Sequence, residues 1–222
     1  PSAPDSRIRR LLMTSAETKI DTHDKLRAIY GEPMGLAVDK CLSRLDPHCK
    51  HFIALAPFAV ISSADANGDA DVSPRGDGPG FIKVVDDNTI VMPDRPGNNR
   101  IDTLANIVDN PKVGMLFFVP GVNETLRVNG RAEISTDPAL LDLFADTPKP
   151  PITAIKITVE EAFLHCAKSL MRSKLWDAGT QIDRKTLPTL GKMIKDQTAA
   201  DFPVGTQEEA DQHFAQSIAE RG

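Results

Sequence analysis

Residues 58–132 read FAVISSADANGDADVSPRGDGPGFIKVVDDNTIVMPDRPGNNRIDTLANIVDNPKVGMLFFVPGVNETLRVNGRA, and this stretch decides the fold. Phe58–Ser63 is a short apolar, β-forming run, and Asp65–Asp69 (DANGD) supplies a hairpin turn after it. Asp71–Pro74 leads into a second turn over Arg75–Gly80, and Phe81–Val85 and Thr89–Met92 flank Asp86–Asn88 as another hairpin. The period then changes: Asn99–Asn110 carries Ile101, Leu104 and Ile107 at helical spacing and stops before Pro111. Val113–Val119 is almost continuously apolar, as expected of a strand buried on both faces. Over Thr125–Ile134, Leu126 and Val128 point one way while Arg127 and Asn129 point the other. Several short strands around a single internal helix fit a closed antiparallel barrel better than a parallel α/β sheet. The expected class is mainly β with flanking helices.

The flanks read differently. Residues 1–57 have helical patterning: Ile8, Leu11 and Leu12 in a first helix, then Leu26, Ile29 and Tyr30 behind a cap at Asp21 or Thr22. Pro33 opens a third helix running to Leu42, and Asp46-Pro47 is a cap with a first-turn proline for a fourth. Pro138–Phe144 is a short helix, Ala154–Val159 the last strand, and residues 161–222 are mostly helical. The organisation expected is a helical region over 1–57, a barrel domain over 58–176 and a helical extension over 177–222.

Bulk properties narrow the classes. The 222 residues suffice for one sizeable core without metal or disulfide. Net charge is −5, which argues against nucleic acid or an anionic membrane as partner. No apolar run reaches the ~18–20 residues of a membrane helix, and no signal-peptide core opens the sequence, so a cytoplasmic protein is expected. Cys41, Cys49 and Cys166 have no CxxC spacing and read as reduced thiols. His48, Cys49 and His51, with Cys41 upstream, match no standard zinc spacing, so no metal is expected. Ser62-Ser63 forms no nucleophile elbow.

The chemistry that remains is cationic. Ser73-Pro74-Arg75-Gly76 joins a guanidinium fork to a glycine whose backbone can approach a phosphate. A plain surface turn with Arg75 paired to Asp77 is the simpler reading of the same residues. In DRPGNNR (94–100), Arg95, Asn98, Asn99 and Arg100 surround the expected helix start, where free N–H groups favour an anion. Capped helix and solvated arginines explain this segment equally well. Arg127, on a polar strand face, matters only if that face is a ligand wall. Phe163–Trp176 reads as a helix carrying Lys168 and Trp176, a cation and a flat apolar wall of the kind a flavin ring needs; Trp176 in the core with basic residues outside is the simpler alternative. Three arginine sites on a small barrel point to flavin mononucleotide, a phosphorylated planar cofactor.

Together, ADVSPRGDGPGF (70–81), residues 92–118, TLRVNGRA (125–132) and HCAKSLMRSKLW (165–176) resemble the pyridoxamine 5′-phosphate oxidase-like flavoproteins, whose fold is the FMN-binding split barrel. The resemblance is greatest to a bacterial subgroup of flavin-nucleotide-binding proteins. It implies a homodimer with FMN at the interface, its phosphate held by Arg75 and by Asn98, Asn99 and Arg100. It also implies a flavin-dependent oxidoreductase acting on a small substrate. The alternative is a non-catalytic flavin or haem carrier, for which His165 is the axial candidate. The chain departs from the vitamin enzyme: SPRGDG replaces its R-x-V-L-L-K strand, Asn98-Asn99-Arg100 replaces serine-arginine-lysine, and Arg172 precedes Trp176 instead of following it. FMN binding survives these changes, whereas oxidation of pyridoxine 5′-phosphate is not expected.

Overall fold

The computed structural model describes residues 19–147 and 149–221, so the helix expected around Ile8, Leu11 and Leu12 lies outside the described residues. The chain divides into two compact units, one up to Lys40 and one from Cys41. In the first, α1 (His23–Tyr30) starts at Thr22, whose hydroxyl accepts the Lys25 N–H, and ends at Gly31 with φ 67°. Helix α2 covers only Gly35–Asp39, shorter than the Pro33–Leu42 span expected. Leu42 already belongs to the second unit and is not helical because its backbone is bridged to Ala162 of that same unit: its N–H donates to the Ala162 carbonyl at 3.0 Å and its carbonyl accepts the Ala162 N–H at 2.8 Å.

The second unit opens with α3 (Pro47–Leu55), capped as expected by Asp46, whose carboxylate accepts the Cys49 N–H at 2.8 Å. Cys49 is buried and its thiol is pushed up to about 11, mainly by desolvation, whereas His48 and His51 on the same helix are exposed. Seven antiparallel strands follow in one sheet: β1 (Phe58–Ala64), β2 (Ala70–Gly76), β3 (Lys83–Val84), β4 (Thr89–Asp94), β5 (Lys112–Phe118), β6 (Thr125–Ser135) and β7 (Thr153–His165). Their order is β2-β1-β5-β6-β7-β4-β3, so β2 and β3 are the two edges. Helix α4 (Asp102–Asp109) packs on β1, β2 and β6, with Thr103 and Ile107 buried. Ile61, Met115, Phe117, Leu126, Ile155 and Ile157 build the core inside the curled sheet. This is the split-barrel architecture.

Two strands differ from the sequence reading. Along β5, residues alternate between buried and half-buried, so only Val113, Met115 and Phe117 face the core, and Leu116 and Phe118 lie on the outer face. The last strand extends to His165, because β6 continues to pair with it up to Thr125↔His165. A bulge explains the early stop: Asn129 pairs with Glu161 and Gly130 with Val159, leaving Glu160 without a partner in the ladder. The extra residue flips the alternation, and Val159-Glu160-Glu161-Ala162 then looks like a strand end. At the bulge the two strands approach so closely that a Cβ on Gly130 would lie 2.1 Å from the Thr158 carbonyl oxygen. The helix expected over Phe163–Trp176 therefore reduces to α6, Lys168–Ser173, after α5 (Pro138–Leu141) earlier in the chain. The remaining helices are α7 (Leu190–Thr198) and α8 (Gln207–Arg221). Among the described residues no helix is long and apolar enough to cross a membrane.

Candidate functional site

Residue alternation on β2 places the first part of the site. Cross-strand partners share a face, and Arg75, Ser73 and Asp71 pair with Ala59, Ile61 and Ser63, all buried. Arg75, Ser73 and Asp71 therefore turn toward the barrel interior, while Val72, Pro74 and Gly76 are exposed. Because β2 is an edge, that inward row meets no further strand. It meets the end of β4, near the opposite edge, across a cleft of about 770 Å³. The loop after β4 and the first turn of α4 complete the lining, and Phe81, Leu104 and Ile152 are among its apolar members. The volume is that of a site for one cofactor-sized ligand.

The cleft gathers seven of the ten residues expected to bind cofactor: Ser73, Arg75, Gly76, Arg95, Asn98, Asn99 and Arg100. Their states differ. Arg95 is committed elsewhere: its Nη1 bonds Asp77 Oδ2 at 2.6 Å and its side chain is only 14% exposed. Asp77 follows β2 and Arg95 follows β4, so this ion pair staples the two ends of the sheet together. The pairing of Arg75 with Asp77 considered from the sequence does not occur, since Arg95 takes that carboxylate. Arg100 is 74% exposed and lies against Asp102 through Nη2 at 2.8 Å. Arg75 alone of the three has no carboxylate within ion-pairing distance among the described residues. Its Nη1 donates to Ser73 Oγ and to the Pro74 carbonyl at 2.8 Å, which fixes the fork in place. Burial pulls its guanidinium below the ordinary arginine value, and Asp94 and Asp71 partly restore it. Asp94 responds in kind: desolvation raises its carboxyl and Arg75 lowers it.

The helix start contributes the second part. No side chain caps α4, and its N-cap residue, Ile101, has φ 52°. Asn99 two residues earlier has φ 60°, and Asn98 Oδ1 accepts the Arg100 N–H at 3.1 Å. A left-handed conformation is costly for a β-branched residue, by roughly 1–2 kcal/mol. The strain holds an uncapped helix N-terminus, from Ile101 to Leu104, against the cleft. The expected helix therefore begins three residues later than Asn99, because the chain must turn twice through left-handed geometry first. Thr153 adds a further sign of a missing partner: its hydroxyl is buried at the cleft and accepts or donates no hydrogen bond. Asp71, Asp94, Thr103 and Thr153 also line the cleft, although the sequence assigns none of them a site role. The Asp71-Ser73-Arg75 spacing of two was the available signal for the first; nothing local marks the others.

Arg127, Lys168 and Trp176 do not line this cleft. Arg127 lies on the outer face of β6, over the Phe163 ring at 4.2 Å and beside Glu161 at 3.4 Å. His165 stands next to it, its ring 4.8 Å from Phe163. Trp176 Nε1 donates to the Val122 carbonyl at 2.9 Å, and Lys168 is exposed at the start of α6. Gly76 is not required for space, since a Cβ there would meet Phe58 Cδ2 only at 3.4 Å.

A split barrel with an arginine-bearing cleft at its seam defines the class of protein. A model of the pyridoxamine 5′-phosphate oxidase family matches residues 45–166, more than half of the chain, and the chain belongs to that family. Similar solved structures include HupZ of Group A Streptococcus, 23% identical, covering 54% of this chain and 93% of that one at a TM-score of 0.46. General Stress Protein 26 from Bacillus anthracis is 18% identical, covering 53% and 93% at 0.38. An FAD binding protein from Mycobacterium smegmatis is 14% identical, covering 56% and 97% at 0.41. No curated protein matches the chain.

Proposed function

We propose that this protein binds FMN in the seam cleft and acts as a flavin-dependent oxidoreductase on a small substrate. The observation that carries the reading is Arg75: an anchored, half-buried guanidinium without a carboxylate partner, facing a cleft that an uncapped helix end also lines. A phosphate dianion suits both groups, through charge-assisted bonds to the fork and to the first N–H groups of α4. Arg100, exposed and held only by Asp102, is free to turn toward the same phosphate. The orphan Thr153 hydroxyl and the apolar lining residues Phe81, Leu104 and Ile152 suit a ligand that has both polar and apolar parts. When bound, FMN supplies the redox chemistry, and the protein supplies orientation and charge.

The reading includes a homodimer in which a second copy covers the ring end of the ligand. Its support is the outer sheet face, where Phe58 and Val72 are 40% and 64% exposed beside half-buried Leu116 and Phe118. Lys168, Trp176 and Arg127, absent from the cleft of their own chain, are assigned to that shared region, and 58–176 is the cofactor domain. A tight-binding monomer in sedimentation would overturn the dimer. Pyridoxine 5′-phosphate is not the expected substrate: α6 ends at Ser173 with Lys174 as its left-handed C-cap, so only Lys168 and Arg172 keep the i, i+4 spacing of one helix face. The central test is titration of the apo-protein with FMN and riboflavin, followed by flavin fluorescence. FMN is expected to bind far more tightly, and equal affinities would refute the phosphate cradle.

A further inference from the structure

Arg75 and Asp94 come from strands at opposite ends of the sheet order, yet line the same cleft. They are too far apart for an ion pair and close enough for each to bias the other's ionisation. Asp94 is half-buried at the end of β4, and its register partner on β7 is Thr153, the residue with the orphan hydroxyl. We propose that Asp94 is a specificity-determining residue: it is the resident counter-anion of Arg75, and a docking phosphate dianion replaces it while Asp94 takes one proton from solvent and donates its O–H to the ligand. This rests on the FMN reading and deepens it, since it says how the cleft recognises a phosphate monoester.

The argument is one of charge balance. An empty cleft that held a half-buried arginine with no anion nearby would be strained electrostatically, and Asp94 with Asp71 relieves this from a distance. A dianion bound at Arg75 supplies more negative charge than Asp94 does and leaves Asp94 facing a like charge in a desolvated place. A carboxyl so placed protonates. The charged groups around Asp94 are Arg75 and Asp71 on β2, Arg95 on its own strand's exit, and Arg100 and Asp102 at the helix start. Arg95 and Arg100 are already neutralised by Asp77 and Asp102, so neither holds Asp94 ionised once Arg75 is occupied. Protonated Asp94 and the Thr153 hydroxyl then offer two donors on one face of the β4–β7 pair.

The test compares FMN and riboflavin affinity between about pH 5.5 and 8 in the full-length protein and in Asp94→Asn. The titration of the phosphate itself, with a second pKa of about 6, is common to both proteins and cancels in their ratio. Asp94→Asn is expected to bind FMN increasingly more tightly than the unsubstituted protein as the pH rises from about 5.5 toward 8. The gap approaches about ten-fold for each pKa unit that docking adds to Asp94. Riboflavin affinity should show no such divergence. If FMN discriminates over riboflavin but the ratio is flat with pH, or the variant is weaker throughout, the role of Asp94 is overturned while the cradle stands. If neither protein discriminates FMN from riboflavin, the cradle itself fails and this inference with it. Should Asp94→Asn not fold, calorimetry of the unsubstituted protein near pH 7.5 in buffers of different ionisation enthalpy decides. Net proton uptake with FMN and none with riboflavin is expected, and zero uptake with FMN overturns the proposal.

Discussion

The Arg95–Asp77 staple makes a quantitative prediction because its two ends are unequally exposed. Removing Asp77 leaves the Arg95 guanidinium, 14% exposed, with only a 3.4 Å contact from Nε to the Lys149 carbonyl. It also removes the acceptor of the Gly78 N–H, bonded to Asp77 Oδ1 at 2.7 Å. Breaking a fully buried pair costs about 3–5 kcal/mol and an exposed one about 0–1. With one end buried and the other 41% exposed, Asp77→Ala should cost about 2–3 kcal/mol. Arg95→Ala should cost less, about 1–2 kcal/mol, because Asp77 can turn to water and only the buried stem is lost. At about 2–4 °C per kcal/mol for a chain of this size, the expected falls in Tm are roughly 4–12 °C and 2–8 °C. Urea unfolding of both single variants and the double variant gives the coupling directly. Arg95→Ala should also weaken FMN and riboflavin by a similar factor, because a staple shapes the cleft without touching the phosphate. Additive single effects, or an Arg95→Ala protein more damaged than Asp77→Ala, would refute the reasoning. A selective loss of FMN over riboflavin would instead make Arg95 a phosphate ligand.

Arg75→Ala should behave oppositely: FMN affinity should fall about 10- to 150-fold, the equivalent of about 1.5–3 kcal/mol, with riboflavin affinity unchanged in fluorescence titration. Equal losses for both ligands would remove Arg75 from the phosphate site. Gly130→Ala forces a methyl group onto the Thr158 carbonyl and should cost at least about 2 kcal/mol in thermal melting; a loss below about 0.5 kcal/mol would mean the bulge is looser than its geometry. Ile101→Gly relieves the left-handed strain and should raise stability by up to about 1 kcal/mol after the entropic cost of glycine, and a destabilised variant would show that Ile101 earns its place by packing.

Local chemistry made much of this molecule legible. Asp46-Pro47 and Thr22 announced helix starts because a side-chain oxygen beside free N–H groups acts within one turn. DANGD announced a hairpin because few residues accept its backbone geometry, and Leu126/Val128 against Arg127/Asn129 announced a half-buried strand. The arginine turns were visible for the same reason, and the family resemblance rested on them. What the sequence could not determine were relations across distance. Whether Asp77 serves Arg75, two residues away, or Arg95, eighteen away, depends on how far the sheet curls before its ends meet. The reach of β7 to His165 depends on a bulge opposite Gly130, which no local period reveals. Asp94 looks like any strand-end carboxylate until tertiary folding half-buries it and sets it across the seam from Arg75. Periodicity and capping are short-range and are written in neighbouring residues; charge neutralisation and burial are long-range, and only the curled sheet decides which charges are left without a partner.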